Sequence, residues 1–382
     1  MTDTRHEGAP ARAKPRISLS GWCNQLAASR RFQRWAARFP LTRGIARREG
    51  EALFDLVSGF VYSQVLLALV ELRLLRRLAE RPANAESLAG AVAVPAERLE
   101  TLLRAGAALG LLKQRRDGRF ALARRGASLL GVPGLDAMIR HHRVLYRDLE
   151  DPVAFLRGET ETELAGFWPY VFGAASAEDP GSAQTYSELM ADSQVLVAED
   201  VLQTVGLSGV DHLLDVGGGT GAFLAAVGRE YPELKMSLFD LPAVVPGAQD
   251  RLGAAGLADR VSITAGSFRD DPLPGGADAV SLIRVLYDHS EETVAALLHR
   301  VRDVLPPNGL ILVSEPMLGD SRPEKAGDAY FAFYCMAMRT GRTRSAGQIA
   351  GLLQAAGFVD ISAPRPRRPF VTSVVTARTP SV

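Results

Sequence analysis

The stretch Asp215-Val216-Gly217-Gly218-Gly219-Thr220-Gly221 decides the fold. It follows the apolar run His212-Leu213-Leu214 and opens a helical pattern. Glycines at such a junction let the backbone turn tightly and approach a ligand closely. Downstream, Tyr231-Pro232 marks a loop, Met236-Ser237-Leu238-Phe239 reads as the next strand, and Asp240 closes it. An acid about 20 residues after a glycine loop suits a ribose diol. Strand signals fall at 211–215, 235–239, 261–264, 278–286 and 310–315. Helical signals lie between them. One, over 290–304, opens with Ser290 and then Glu291 and Glu292 at the positive end of its dipole. A late helix opens with Ser345 and Gln348 at capping-box spacing and stops near Gly357. This alternation predicts an α/β fold with a parallel, doubly wound sheet.

Two cofactors fit the loop. Gly217-x-Gly219-x-x-Ala222 also satisfies the dinucleotide fingerprint. Asp215 discriminates: a carboxylate at the loop's mouth crowds a pyrophosphate but suits the ammonium and sulfonium of S-adenosylmethionine. The reading favours the latter, with a nicotinamide dinucleotide and a ligand-free glycine turn as alternatives.

The N-terminal half is helical in pattern. From Trp22 to Phe39, Phe32, Trp35 and Phe39 form one stripe and Arg31, Arg34 and Arg38 another; Pro40 ends the segment. Residues 1–16 are polar and predicted disordered. Residues 51–80 form an apolar helical stretch, and 84–130 read as a winged helix. In the latter, Asn84–Ala91 and Pro95–Leu112 are helical, with Leu99, Leu102, Leu103 and Leu109 inward, and a hairpin over Lys113–Leu122 turns at Asp117-Gly118. Between Pro95 and Leu112 the charged residues are only Glu97, Arg98, Glu100 and Arg104, which cancel, so a DNA-reading helix is not expected. Residues 135–200 read as mostly helical, with an aromatic cluster at Trp168, Tyr170 and Phe172.

Composition excludes several classes. Cys23 and Cys335 cannot make a disulfide framework or a Cys-rich zinc site, and the six histidines form no HExxH pair, so no metal is expected. The longest clear apolar run, Val65–Val70, falls short of the roughly 20 residues of a spanning helix, and no signal-peptide pattern is evident. A reducing, cytoplasmic location is expected. The net charge of +1 splits into +8 over residues 1–50 and −7 over the rest.

Taken in order, Asp215 to Gly221, Phe239-Asp240-Leu241-Pro242, Gly266-Ser267-Phe268, Asp288, Pro307-Asn308-Gly309 and Glu315 resemble the O-methyltransferase class that includes plant caffeate and flavonoid enzymes and acetylserotonin methyltransferase. The resemblance covers about 50–378. The Arg/Trp-rich leader, His141-His142-Arg143-Val144-Leu145-Tyr146-Arg147-Asp148-Leu149 and Arg284-Val285-Leu286-Tyr287-Asp288-His289 resemble, more narrowly, the carotenoid hydroxyl methyltransferases of purple photosynthetic bacteria. These act on 1-hydroxy carotenoids of the demethylspheroidene and hydroxyneurosporene type.

The resemblance implies four regions: a basic amphipathic leader (1–48), a winged-helix dimerisation domain (49–134), a helical substrate-pocket linker (135–205) and a Rossmann-like methyltransferase domain (206–382). It implies a homodimer using S-adenosylmethionine and releasing S-adenosylhomocysteine. Gly217 and Asp240 would contact the cofactor's amino-acid end and ribose, and Ser267 and Phe268 would flank adenine. Asp215, Gly219, Leu241 and Arg284 complete the expected set. Three positions depart from the plant pattern: Tyr287 stands at the usual general-base His, Thr343 at a family acid, and Ser267 at the adenine-side Asp.

Methyl transfer from a sulfonium requires alignment of oxygen, carbon and sulfur. Orientation contributes up to roughly 7–11 kcal/mol, a positioned base about 3–5 kcal/mol. Loss of the usual His is therefore survivable. His289, oriented by Glu315, is the first candidate to take the proton; His141 and His142 are the second. Tyr287 is a poor base near neutrality. An apolar polyene substrate gives the leader (17–48) a role on anionic membrane, peripheral to the photosynthetic membrane, with a solvated arm packing on the partner subunit as the alternative; a nucleic-acid partner is not expected. Alternatives are another pigment, such as a bacteriochlorophyll precursor, or a winged-helix regulator with a ligand-sensing Rossmann half.

Overall fold

The computed structural model describes residues 19–167 and 194–381. The readings of 1–16 as disordered and of Trp168, Tyr170 and Phe172 as a cluster lie outside the described residues. The chain divides into two compact units, up to Leu66 and from Leu67 on.

In the first unit, helices Leu19–Ala27 and Arg30–Arg38 are separate, divided at Ala28-Ser29, where one continuous pattern had been expected. Ser29 is extended and makes no side-chain cap. Trp35 stacks on Phe39 with ring centroids 4.9 Å apart, beside Phe32 at 5.6 Å. Trp22, Trp35, Phe39, Leu41 and Ile45 are exposed. The next helix, Arg43–Glu71, starts before the expected boundary after residue 48. By length and composition it is apolar enough to cross a membrane, which the run Val65–Val70 did not suggest. Ser58, Gly59, Ser63 and Gln64 interrupt the apolar run without adding charge. Leu53, Phe54, Leu56, Val57 and Phe60 stand exposed on it.

The second unit opens with the winged-helix elements. Asn84 caps Ala85–Val92 by accepting the Ser87 N–H, and helix Ala96–Ala108 buries Leu99 and Leu103. Strand β1 (Leu112–Gln114) pairs antiparallel with β2 (Phe120–Leu122) around the Asp117-Gly118 turn. The core is a seven-stranded sheet. Its strands are β3 (His212–Val216), β4 (Lys235–Asp240), β5 (Val261–Ala265), β6 (Ala279–Ile283), β7 (Leu310–Glu315), β8 (Val359–Ser362) and β9 (Ser373–Arg378). The order is β8-β9-β7-β6-β3-β4-β5. The five strands β3 to β7 are parallel, as expected; β9 enters antiparallel beside β7 and makes the sheet mixed. β6 and β7 are buried throughout, the pattern of strands covered on both faces. Ser290 caps helix Glu291–Val304, and Ser345 with Gln348 forms the full capping box of Ala346–Ala355.

Candidate active site

The site forms where parallel strands end. β3 delivers Asp215 and then Gly217, whose φ of +69° belongs to the left-handed region. A Cβ on Gly217 would meet Val285 Cγ2 at 2.8 Å, so the loop after β3 lies directly against the chain leaving β6. Asp215 is buried; its Oδ1 accepts the Ser281 hydroxyl at 2.6 Å and its Oδ2 has no partner. Burial pushes its pKa up to about 7, with the Ser281 bond opposing. Asp240, at the end of β4, accepts the N–H groups of Gly219 and Leu241, each at 2.7 Å. Burial raises it to about 6, those two amides opposing. Beyond β5, the Ser267 N–H donates to Asp271 and its hydroxyl to Asp270. Phe268 presents its ring edge-on to His289, centroids 5.1 Å apart.

Strand β6 stops at Ile283, three residues before the expected end. Glu315, the last residue of β7, accepts N–H bonds from Val285 (2.9 Å), Leu286 (2.7 Å) and Tyr287 (3.3 Å). This carboxylate pulls the backbone out of the strand and into a 3-10 turn over Leu286–Asp288. Arg284, at φ +60°, is the residue that turns the chain. Its guanidinium lies 6.0 Å from the Tyr287 ring centre and acts to lower the pKa values of Tyr287, Tyr330 and Tyr334 alike. Burial outweighs it at all three, holding each phenol above its ordinary value, Tyr330 at about 12.

Glu315 is thus committed to backbone amides and does not orient His289. His289 Nδ1 lies 3.1 Å from the Arg269 guanidinium, so that nitrogen is the acceptor and the proton sits on Nε2. Burial, then Arg269 and Arg344, lower its pKa to about 3. The other two candidates are held differently. Helix Leu135–Asp148 sets His141 Nε2 at 2.8 Å from the Tyr334 hydroxyl and His142 Nε2 at 2.5 Å from the Tyr330 hydroxyl. Burial lowers both histidines, His141 to about 4. Asp148 fixes the end of this helix by accepting the N–H groups of Glu163 and Leu164.

Sequence reasoning missed Tyr330, Tyr334, Arg269 and Arg344. The first two sit four apart, Tyr330 in the π-helical turn Lys325–Phe331 and Tyr334 in the following helix Ala332–Met338. π-helical turns are frequent at functional sites. The i,i+4 tyrosine spacing was the available signal. Of the lone residues, Cys335 and Met338 are buried and Cys23 and Met336 exposed, while His212 is bonded through both ring nitrogens, to Gly276 O and Ser237 Oγ.

The loop fits S-adenosylmethionine. The unpartnered Oδ2 of Asp215 is a carboxylate oxygen that would meet an ammonium, Asp240 borders the same loop, where it would meet a ribose, and Gly218 leaves no room for a side chain beside Asp215. Parallel strands with a glycine loop after the first and an acid after the second make the arrangement of a nucleoside-cofactor fold. The chain belongs to the O-methyltransferase family: a profile for the O-methyltransferase domain matches residues 146–359, and one for the O-methyltransferase dimerisation domain matches 54–131. It is 60% identical to the demethylspheroidene O-methyltransferase of Cereibacter sphaeroides over 97% of both chains. It is 52% identical to that of Rhodobacter capsulatus, over 97% of this chain and 92% of that one. Human N-acetylserotonin methyltransferase, solved in complex with SAM, superposes with a TM-score of 0.75 at 27% identity, over 87% of this chain and 98% of that one. The chain is a methyltransferase of the S-adenosylmethionine-dependent class, with the dimerisation domain of a homodimer.

Proposed function

We propose that the protein methylates the tertiary 1-hydroxyl of an acyclic hydroxycarotenoid of the demethylspheroidene type. The near-full-length identity to two demethylspheroidene O-methyltransferases carries this reading. The test is purified protein with S-adenosylmethionine and a panel of hydroxycarotenoids, tetrapyrroles and phenols, read by mass spectrometry. A carotenoid product one methyl heavier is expected; methylation of the tetrapyrroles or phenols alone refutes it.

Bound S-adenosylmethionine supplies a methyl group already activated on sulfonium and leaves as S-adenosylhomocysteine. No metal enters the reading. Asp215 holds the ammonium, Asp240 and Leu241 the ribose end, and Ser267 and Phe268 the adenine. Arg284 and Tyr287 form the wall between loop and substrate. A tertiary alcohol keeps its proton until the new O–C bond forms and the S–C bond breaks. The proton then passes to the Tyr330 oxygen while the Tyr330 proton moves to His142 Nε2. The 2.5 Å contact supports this route, as does the half-buried position of His142, from which the proton can reach water. His141 with Tyr334 is the buried counterpart. Tyr330→Phe and His142→Gln should each lower kcat about 100-fold with cofactor affinity intact; kcat within threefold of the parent removes the relay.

The protein acts in the cytoplasm at the surface of the photosynthetic membrane. Support comes from residues 19–48, which carry seven arginines and no acid. Arg31, Arg34 and Arg38 line one groove with Trp35 and Phe39, a cradle of cations and aromatic edges suited to anionic headgroups. Deleting 1–48 should weaken binding to anionic liposomes and spare cofactor binding; undiminished liposome binding defeats this role.

A further inference from the structure

A second cationic and aromatic surface lies outside the leader. The segment Ala363-Pro364-Arg365-Pro366-Arg367-Arg368-Pro369-Phe370-Val371-Thr372 joins β8 to β9. Register fixes where it projects. Ser373, the first residue of β9, pairs with Glu315, the last of β7. The segment therefore leaves the sheet at the carboxyl ends of the parallel strands, the edge at which ligands bind in such sheets. Three strand spacings, roughly 14 Å, separate β9 from β3 and its glycine loop.

The segment is built to present charge outward. Arg365 and Arg367 are exposed, and Phe370 beside them is 66% exposed. Residues 361–382 contain no acid. Arg368 alone turns back. Its Nε donates to Asp200 at 2.8 Å and its Nη2 to Glu199 at 3.2 Å, which ties the segment to the helix over 194–204. The Asp200 end of this pair is buried and the Arg368 end partly exposed, which fixes where the segment's other charges point. Pro364, Pro366 and Pro369 restrict the backbone further, so little entropy remains to be lost when the segment meets a partner.

We infer that this segment is a docking surface for an anionic phospholipid bilayer, with Arg365 and Arg367 on headgroup phosphates and Phe370 at the acyl boundary. Charge complementarity and the exposed ring specify that occupant. The inference rests on the carotenoid reading: a polyene dissolved in lipid reaches the site most directly when the ligand edge of the sheet faces the bilayer.

The experiment compares the full chain with Arg365→Gln/Arg367→Gln and, separately, Phe370→Ser. Flotation is measured on vesicles of phosphatidylcholine alone and of equal parts phosphatidylcholine and phosphatidylglycerol. Turnover is measured with hydroxycarotenoid in the mixed vesicles and in neutral detergent micelles. The double variant should lose about 30-fold in partition onto the mixed vesicles, raise the vesicle KM about 10-fold, and keep its micellar kcat and KM. Phe370→Ser should lose binding to both vesicle types. Unchanged flotation and vesicle KM overturn the inference. Equal losses by the double variant on both vesicle types overturn the headgroup contact. Failure of the parent protein to methylate carotenoid in micelles instead refutes the carotenoid reading, and so is told apart.

Discussion

Asp215 gives the sharpest quantitative test, because it serves binding at a cost to stability. Its pKa is raised to about 7 by burial, against an ordinary 3.8. Holding a cofactor ammonium requires the ionised form. Affinity should therefore fall about tenfold per pH unit below 7, about 90-fold between pH 8 and pH 5. Calorimetric titration with S-adenosylhomocysteine, which keeps the amino acid and lacks the sulfonium, removes the sulfonium from the comparison, and Asp215→Asn separates this contact from that of Asp240, which burial raises to about 6. The linkage to folding has the opposite sign. The folded chain retains a proton that the unfolded chain releases between pH 3.8 and 7. The group's contribution is fully present below about pH 4 and is lost as pH rises through 7. Asp215→Asn removes that loss, since the amide oxygen still accepts from Ser281. The variant should be more stable than the parent at pH 8, by about 2–4 kcal/mol, while its residual ligand affinity keeps only the shallower pH dependence of Asp240, which burial raises to about 6. A parent affinity that stays flat from pH 5 to 8 in folded protein, or a variant less stable than the parent at pH 8, refutes the reasoning.

Glu315→Ala leaves three buried amides without their acceptor, so stability should fall by about 3–5 kcal/mol, read as the denaturant midpoint; a loss under 1 kcal/mol contradicts the proposed origin of the turn after β6. His289→Gln should keep kcat within threefold, because the Arg269 guanidinium occupies its Nδ1 and its Nε2 already carries the ring proton, which leaves no acceptor for the substrate proton; a 100-fold loss would restore it as the base. Tyr287→His should bring in phenol methylation, assayed on a catechol, since it puts an imidazole at the position where the O-methyltransferase resemblance places its general base; a variant inert toward phenols counts against the account of this position.

The glycine loop and the acid at the end of the next strand were legible because their determinants are local. Asp215, Gly217 and Gly219 lie within five residues of one another, and Asp240 is one strand further on. Boundaries set by tertiary capture were not legible. Periodicity ran β6 on to residue 286, since Val285 and Leu286 are as apolar as the strand before them. Only the carboxylate of Glu315, arriving from the next strand, ends it. The β8–β9 pair escaped notice because β8 is four residues long with little burial. The two histidine–tyrosine pairs were half legible. His141 and His142 stood out by type, whereas Tyr330 and Tyr334 acquire meaning only when two helices distant in sequence bring hydroxyl to imidazole.

Exchange of the family's histidine for Tyr287 then has a physical logic. A base is most useful where the hydroxyl is acidic enough to surrender its proton early, as a phenol is. A tertiary alcohol holds its proton until bond formation is advanced, so a strong base poised beforehand gains little, and a buried cationic imidazole would oppose an apolar substrate. Tyr287 is buried among Leu145, Leu164, Tyr334 and Met338, and burial with Asp288 keeps its phenol protonated. It is a wall residue with one fixed polar edge. Such a wall suits a polyene end that must be placed rather than ionised, and placement is the larger of the two contributions, up to roughly 7–11 kcal/mol against about 3–5. In the proposed route the proton is left to weaker acceptors, the tyrosine-bonded histidines. A histidine pair whose basicity burial has lowered suffices there, because a weak base that gains a proton late in the reaction releases it to water quickly.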